Sequence, residues 1–151
     1  MRRPSLILAT AAALGTAAIA TAAVKPETAI AYRQAGYTML GWNFGPMAQM
    51  VRGKTPWDAA EFARRAERVA LIAPQLLEGF PEGSDTGATT EAKPDIWKNM
   101  DDFKLKMDDL VKQSKLLADA AKSGDEARMK EQFKQTAGTC KACHDKYRSE
   151  D

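Results

Sequence analysis

The chain is poor in the residues that most often build catalytic and metal sites. Its 151 residues include only two cysteines and one histidine. Too few cysteines are present for a disulfide scaffold, and a hydrophobic content of 44% is too high for a disordered chain. Because 22 Lys and Arg are opposed by 20 Asp and Glu, the chain also lacks the basic excess of a nucleic-acid binder. We therefore expect one soluble domain with a sizeable core.

Only one long apolar run occurs, and it lies at the N-terminus after two arginines. It covers residues 6–24, is rich in Ala and Thr, and has small residues around Ala22. This pattern is typical of a secretory signal with a cleavage site, so we predict a cleaved signal peptide over 1–22 and a mature domain over 23–151. The alternative, a membrane anchor, fits the composition and length of the run less well. We expect no stable membrane insertion.

Four segments of the remaining chain repeat apolar residues at steps of three and four, which is the period of an amphipathic helix. Their inward positions run over residues 30–51, 62–80, 96–121 and 129–147. Gly53 should end the first helix, Thr55 should cap the second, and Pro74 should kink it. No strand or hairpin pattern competes. The sequence therefore predicts an all-α fold, an antiparallel four-helix bundle, with one long loop over 80–93.

Both cysteines and the histidine lie within five residues, as Cys140-Lys-Ala-Cys143-His144. This is the attachment signature of a c-type haem, in which each thiol adds across a vinyl group and the imidazole binds the iron. We predict one covalent haem c, with His144 as axial ligand. Because bacterial haem c is attached outside the cytoplasmic membrane, we expect a periplasmic protein.

Three other interpretations of this motif fit less well. A structural zinc site would need a fourth ligand, and a thioredoxin-like pair would need a βαβ context. A disulfide is chemically possible, but it would close too short a loop to stabilise the fold appreciably.

The chain resembles the class II cytochromes, and specifically cytochrome c′, over about residues 26–148. The resemblance rests on three stretches: Tyr32-Arg33-Gln34-Ala35-Gly36-Tyr37, Gly41-Trp42-Asn43, and Cys140 to Arg148. It implies a four-helix bundle that holds a covalent haem, and a homodimer formed through the first two helices. Trp42, Trp57 and Phe62 are candidates for that dimer contact.

The resemblance also assigns residues around the haem. It implies that Tyr37 faces the iron on the side opposite His144. It places Gln34 at a propionate, Glu91 at the haem edge, and Arg148 beside the imidazole, one helical turn past His144.

The iron is expected to be five-coordinate and high-spin, because a neutral phenol such as Tyr37 is a poor ligand. Met39 is out of phase with Tyr37 on the same helix and should point away. Met100, Met107 and Met129 are interpreted as core fillers. An open iron of this kind should bind nitric oxide and carbon monoxide. Tyr37 could also be an ordinary core residue.

Arg33 occupies an inward position between Ile30 and Tyr37, where a bundle usually has an aliphatic residue. A buried guanidinium needs an anionic partner, and the haem would bring two propionates. The alternative is that its stem lies along the core while its head reaches solvent.

These residues predict a periplasmic haem protein that binds small diatomic gases and exchanges single electrons with an unknown redox partner. The alternative is a low-spin electron carrier with a methionine on the iron. An enzyme is not expected, because the sole histidine is already used by the haem.

Overall fold

Helices carry the fold of residues 24–149, which are the residues described by the computed structural model, and no strand forms among them. The segments are α1 (Pro26–Val51), α2 (Ala59–Ile72), a 3₁₀ helix (Ala73–Gly79), α3 (Asp95–Lys98), α4 (Met100–Lys122) and α5 (Glu126–Tyr147). The signal peptide predicted over 1–22 lies outside the described residues. None of the helices in 24–149 has the length and apolar character needed to cross a membrane.

The four long helices form the predicted bundle. α1 packs mainly against α2 and the 3₁₀ helix, whereas α4 packs against α5 and α2. α1 and α4 are therefore diagonally opposed across the core. The predicted inward stripe of the third segment is buried from Ile96 to Ala121, apart from Met100, which is half-buried. Aromatic side chains pack in the centre of the bundle. The rings of Phe44 and Phe133, for example, are stacked with their centroids 4.3 Å apart.

The start of the second helix differs from the prediction. α2 begins at Ala59, and its cap is the carboxylate of Asp58, which accepts a hydrogen bond from the backbone N–H of Glu61 at 2.9 Å. Thr55 lies before the helix, in the exposed turn that follows Gly53. Gly53 itself has φ of 68° and ends α1 as predicted.

Proline changes the helix geometry at two places. At Pro74 the chain does not kink an α-helix but continues as the 3₁₀ helix. After Pro94 a single turn, α3, is separated from α4 by Asn99, whose backbone is not helical. The sequence pattern treated both pairs of segments as single helices, because apolar spacing alone does not detect a change of helix type.

The candidate dimer residues separate into one exposed and two inward side chains. Trp42 is 74% exposed. Phe62, in contrast, is fully buried, and Trp57 is half-buried against it at 5.0 Å between ring centroids. The expectation that Phe62 serves the dimer contact is therefore wrong, because Phe62 is a core residue of α2.

Candidate functional site

The last two turns of α5 bring the cysteines and the histidine to one cavity. Cys140 and Cys143, three residues apart, lie on one helix face and are half-buried. His144 follows at the exposed rim. All three line a cavity of about 770 Å³ between α1, α4, α5 and the loop over 80–93. This volume is within the range of small-molecule and cofactor sites.

Burial sets the protonation of these three groups. It raises the pKa of Cys140 and raises that of Cys143 to about 11, so both are neutral thiols. Partial burial, helped by the charge of Arg148, lowers the pKa of His144 and favours the neutral imidazole that can bind a metal. A thiol with so high a pKa does not suit a redox pair. Within residues 24–149, moreover, no three His, Cys, Asp or Glu side chains form a metal-binding group.

The cavity wall fits a large, mostly apolar, planar group such as haem. Its inner part is lined by Leu40, Phe44, Phe80, Ile96, Phe103, Met107 and Leu110. Polar groups are added at the rim by α1, by the loop over 80–93 and by the end of α5. The eight residues selected from the sequence all line this one cavity: Arg33, Gln34, Tyr37, Glu91, Cys140, Cys143, His144 and Arg148.

Tyr37 projects from α1 toward the opposite helix. Its hydroxyl donates a hydrogen bond to Sδ of Met107 in α4 at 3.7 Å, and its ring meets Phe80 edge-on at 6.4 Å. Burial raises the pKa of Tyr37 well above its ordinary value, so the phenol is neutral. Met107 is a core residue, as expected, and it is also the one methionine of residues 24–149 on the cavity wall. Met39, as expected, is exposed on the outer face of α1.

Arg33 is buried, with an exposure of 2%. Nη1 donates to the carbonyl oxygens of Gly79 (3.1 Å) and Ser84 (2.9 Å) and to the Ser84 hydroxyl (3.1 Å), while Nη2 donates to the Thr90 hydroxyl (3.0 Å). The guanidinium also lies 4.9 Å from the centre of the Phe80 ring. Its head is therefore shielded from bulk solvent, and the hydrogen bonds that it donates here all go to neutral oxygens. A contact between Arg33 and a propionate stays a prediction.

Gly79 makes this arrangement of Arg33 possible. A Cβ at Gly79 would lie 2.5 Å from Cβ of Arg33, which is closer than two carbons can approach. The absence of a side chain lets the end of the 3₁₀ helix touch α1, where its carbonyl accepts the Arg33 bond.

The loop over 80–93 connects both sides of the cavity. Gln34 of α1 donates to the Thr89 carbonyl at 2.9 Å, so this side chain holds the loop. Beyond α5, the Ser149 N–H donates to the Glu91 carbonyl at 2.8 Å, and Arg148 forms an ion pair with the Glu91 carboxylate.

Arg148 differs from the prediction of a helical position. Its backbone is extended (φ −108°, ψ 135°), and α5 ends one residue earlier, at Tyr147. The cause is the short antiparallel bridge between Arg148 and Ala92, which pulls the chain out of the helix. Arg148 still lines the cavity, but from the rim and paired with Glu91.

Sequence reasoning missed Met107, Phe103, Ser84 and Thr90 as site residues. Met107 and Phe103 were recognised as inward positions of α4, but a period cannot show which inward residues face a cavity. Ser84 and Thr90 belong to the irregular loop over 80–93, where no period exists.

Comparisons with known proteins agree with the sequence resemblance. A family model described as Cytochrome C′ matches residues 28–148. The cytochrome c′ of Rubrivivax gelatinosus is 39% identical over 124 residues, which cover 82% of this chain and 96% of that protein. The solved structure of cytochrome c prime from Shewanella frigidimarina is 44% identical, has a TM-score of 0.81, and is matched over 83% of this chain and 98% of that one.

Two further solved structures are described by their ligand or assembly. One is a nitric oxide complex of a mutant of cytochrome c prime from Alcaligenes xylosoxidans, with 33% identity, a TM-score of 0.76, and coverage of 83% and 98%. The other is a cytochrome c′ with an unusual ligand-controlled dimer dissociation, with 31% identity, a TM-score of 0.79, and coverage of 85% and 100%.

Proposed function

The chain belongs to the cytochrome c′ family of electron-transfer haem proteins, and from this premise we propose that it carries one haem c bonded to Cys140 and Cys143, with His144 as the axial iron ligand. One observation carries the proposal. The three residues of the attachment motif line the same cavity as the five other site residues predicted from the sequence. The fold thus brings residues of α1 next to residues of α5 that are more than a hundred positions away in the sequence.

The protein's own residues define how the iron can react. Bound haem supplies an iron with one coordination position left after His144. Tyr37 is neutral and its hydroxyl is directed at Met107, so neither side chain offers a free, strong ligand. Phe80 and Leu40 keep the surroundings apolar. With haem held by the attachment motif, these side chains would leave the iron five-coordinate and high-spin in an apolar pocket. Such a pocket would favour nitric oxide and carbon monoxide over anions, and the haem would supply single-electron exchange.

The protein acts by binding and electron exchange, without enzymatic turnover. Turnover at the haem would need an acid–base group beside the iron. The only histidine of the sequence stands in the attachment motif, and Tyr37 holds its proton too tightly to act as a base.

Export to the periplasm is part of the same proposal. Residues 1–22 have the composition of a cleaved signal, and attachment of haem c requires export in bacteria. We expect the purified mature chain to begin near Ala23.

A homodimer through α1 and α2 completes the proposal. Four large apolar side chains are exposed on these two helices: Tyr32, Met39, Trp42 and Leu71. A cytochrome c′ of similar fold is described by its dimer dissociation, which supports an assembly of this kind.

Intact mass and visible spectra of the purified protein test the proposal. The mass should exceed that of the mature polypeptide by one haem, and acid–acetone should leave the colour on the protein. The ferric spectrum should be high-spin, without the charge-transfer band of a methionine-ligated iron. Cys143→Ala should weaken or abolish maturation, whereas Ser149→Ala, at the same rim, should mature normally. Colour in the organic phase would overturn covalent attachment.

A further inference from the structure

We infer that Met107 determines how fast a diatomic gas reaches the iron, because its sulfur holds Tyr37 in its resting position. The inference rests on the proposed open iron site and adds a residue that sets its access. Nothing in the attachment motif or in the first-helix motif points to Met107, since it lies on a different helix from both.

The contact reaches across the core of the bundle. α1 and α4 are diagonal in the bundle, and the Tyr37 hydroxyl reaches Sδ of Met107 across this diagonal at 3.7 Å. Met107 is 3% exposed, so the thioether is shielded from water. The packing of α4 therefore fixes the position of the sulfur.

The Tyr37 hydroxyl depends on this one acceptor. Among residues 24–149, Met107 Sδ is its only hydrogen-bond partner. Sulfur is a weak acceptor, but a hydroxyl inside a mostly apolar cavity is unfavourable without any partner, so the contact holds the phenol at this point. The edge-on contact with Phe80 at 6.4 Å supports the ring from another side but leaves its hydroxyl without a partner.

A gas that takes the place of the phenol must break this bond. The ring can leave only after its hydroxyl gives up Met107, so the bond adds to the barrier for gas entry. Leucine at position 107 would keep a similar apolar volume and remove the acceptor. This makes Met107→Leu a test of the hydrogen bond more than of packing.

The experiment measures carbon monoxide association with the reduced holoprotein after flash photolysis. Met107→Leu should raise the rate about three- to tenfold, the range expected for the net strength of one hydrogen bond. In the Tyr37→Phe background, where no hydroxyl remains, the same change should leave the rate unaltered. Met129→Leu is the matched control, since Met129 is equally buried in α5 but lies off the cavity wall, and it should behave as the parent protein.

A second measurement needs no gas. In the oxidised holoprotein, Met107→Leu and Tyr37→Phe each remove the same hydrogen bond. The shift of the urea midpoint in the double variant should therefore be smaller than the sum of the shifts in the two single variants. Additive midpoints, or an equal rate increase in the Tyr37→Phe background, would overturn the inference by making Met107 a packing residue.

Ferric spectra separate this inference from the proposed function. If the parent protein is high-spin and Met107→Leu leaves the rate unchanged, only the role of Met107 is overturned. If the parent is low-spin and Met107→Leu makes it high-spin, Met107 is an iron ligand, and the open site is overturned as well.

Discussion

At the scale of single residues, Tyr37 lines the cavity at the position where the proposed function has a gas bind. Its ring is supported by Phe80 and its hydroxyl by Met107. Tyr37→Ala removes the ring and should raise the carbon monoxide association rate by about tenfold or more, since about 1.4 kcal/mol of barrier corresponds to tenfold. Met39→Leu, on the exposed side of the same helix, should leave rate and spectrum unchanged. A rate unaffected by Tyr37→Ala would mean that the ring does not obstruct the iron.

Arg33 provides a second test at this scale. Arg33→Met keeps the apolar stem but leaves the carbonyl oxygens of Gly79 and Ser84 without this side-chain donor. We expect the free energy of unfolding to fall by about 3 kcal/mol, because buried polar groups lose their partners. Arg52→Met, at an exposed position after α1, should have little effect.

The reduction potential of the Arg33→Met protein separates two roles. A guanidinium that also bonds a propionate influences the charge of the haem, so its removal should shift the potential. Loss of stability with an unchanged reduction potential would mean that Arg33 anchors the loop over 80–93 and does not bond a propionate. Unchanged stability would contradict its role as a loop anchor.

At the scale of elements, the start of α2 is defined by one carboxylate. Asp58→Ala should lower the free energy of unfolding by about 1 kcal/mol, because the Glu61 N–H loses its acceptor. Thr55→Ala, at the residue that the sequence pattern favoured, should change it by less than about 0.5 kcal/mol. Urea denaturation of the two holoproteins distinguishes the two caps. A larger loss of unfolding free energy in Thr55→Ala than in Asp58→Ala would mean that Thr55 caps the second helix.

The contact between α4 and α5 should respond to acid. Asp102 accepts bonds from Tyr147 and Lys146, and these bonds lower the pKa of its carboxyl. A lowered pKa in the folded state stabilises the protein above the ordinary value, about 4, and the contribution is lost as the pH falls below it. Stability should therefore fall less steeply with acid in Asp102→Asn than in the parent. Asp101→Asn, in the same exposed turn, should follow the parent curve.

The sequence predicted those parts of the fold that repeat or that have a defined local chemistry. The inward stripes, Gly53 as a terminator and the Cys-x-x-Cys-His motif are of this kind. The parts it missed depend on long-range contacts. Arg148 leaves the helix because Ala92 pairs with it, and Arg33 is satisfied by a loop that has no period. Met107 is a site residue because α1 and α4 are arranged diagonally, and the period of a single helix carries no information on that arrangement.

At the scale of the whole molecule, large apolar side chains are exposed on three of the long helices. Tyr32, Met39, Trp42 and Leu71 are exposed along α1 and α2, and the Arg65 guanidinium bonds the Trp42 carbonyl across the seam between these helices at 2.9 Å. Exposed tryptophan is common at interfaces, because it buries a large apolar area with few rotatable bonds. α4 also exposes Leu105 and Leu116, which makes it a comparison surface of similar residue type.

Charge placed on the two surfaces should therefore affect assembly differently. Trp42→Glu should convert the proposed homodimer to a monomer, because a carboxylate at the centre of an apolar contact would be buried without a partner. Leu105→Glu, at a residue 68% exposed on α4, should leave the dimer intact. Sedimentation velocity at several concentrations measures both, and the haem spectrum of each variant shows whether the cavity is preserved. A dimer that survives Trp42→Glu and dissociates with Leu105→Glu would move the interface to α4.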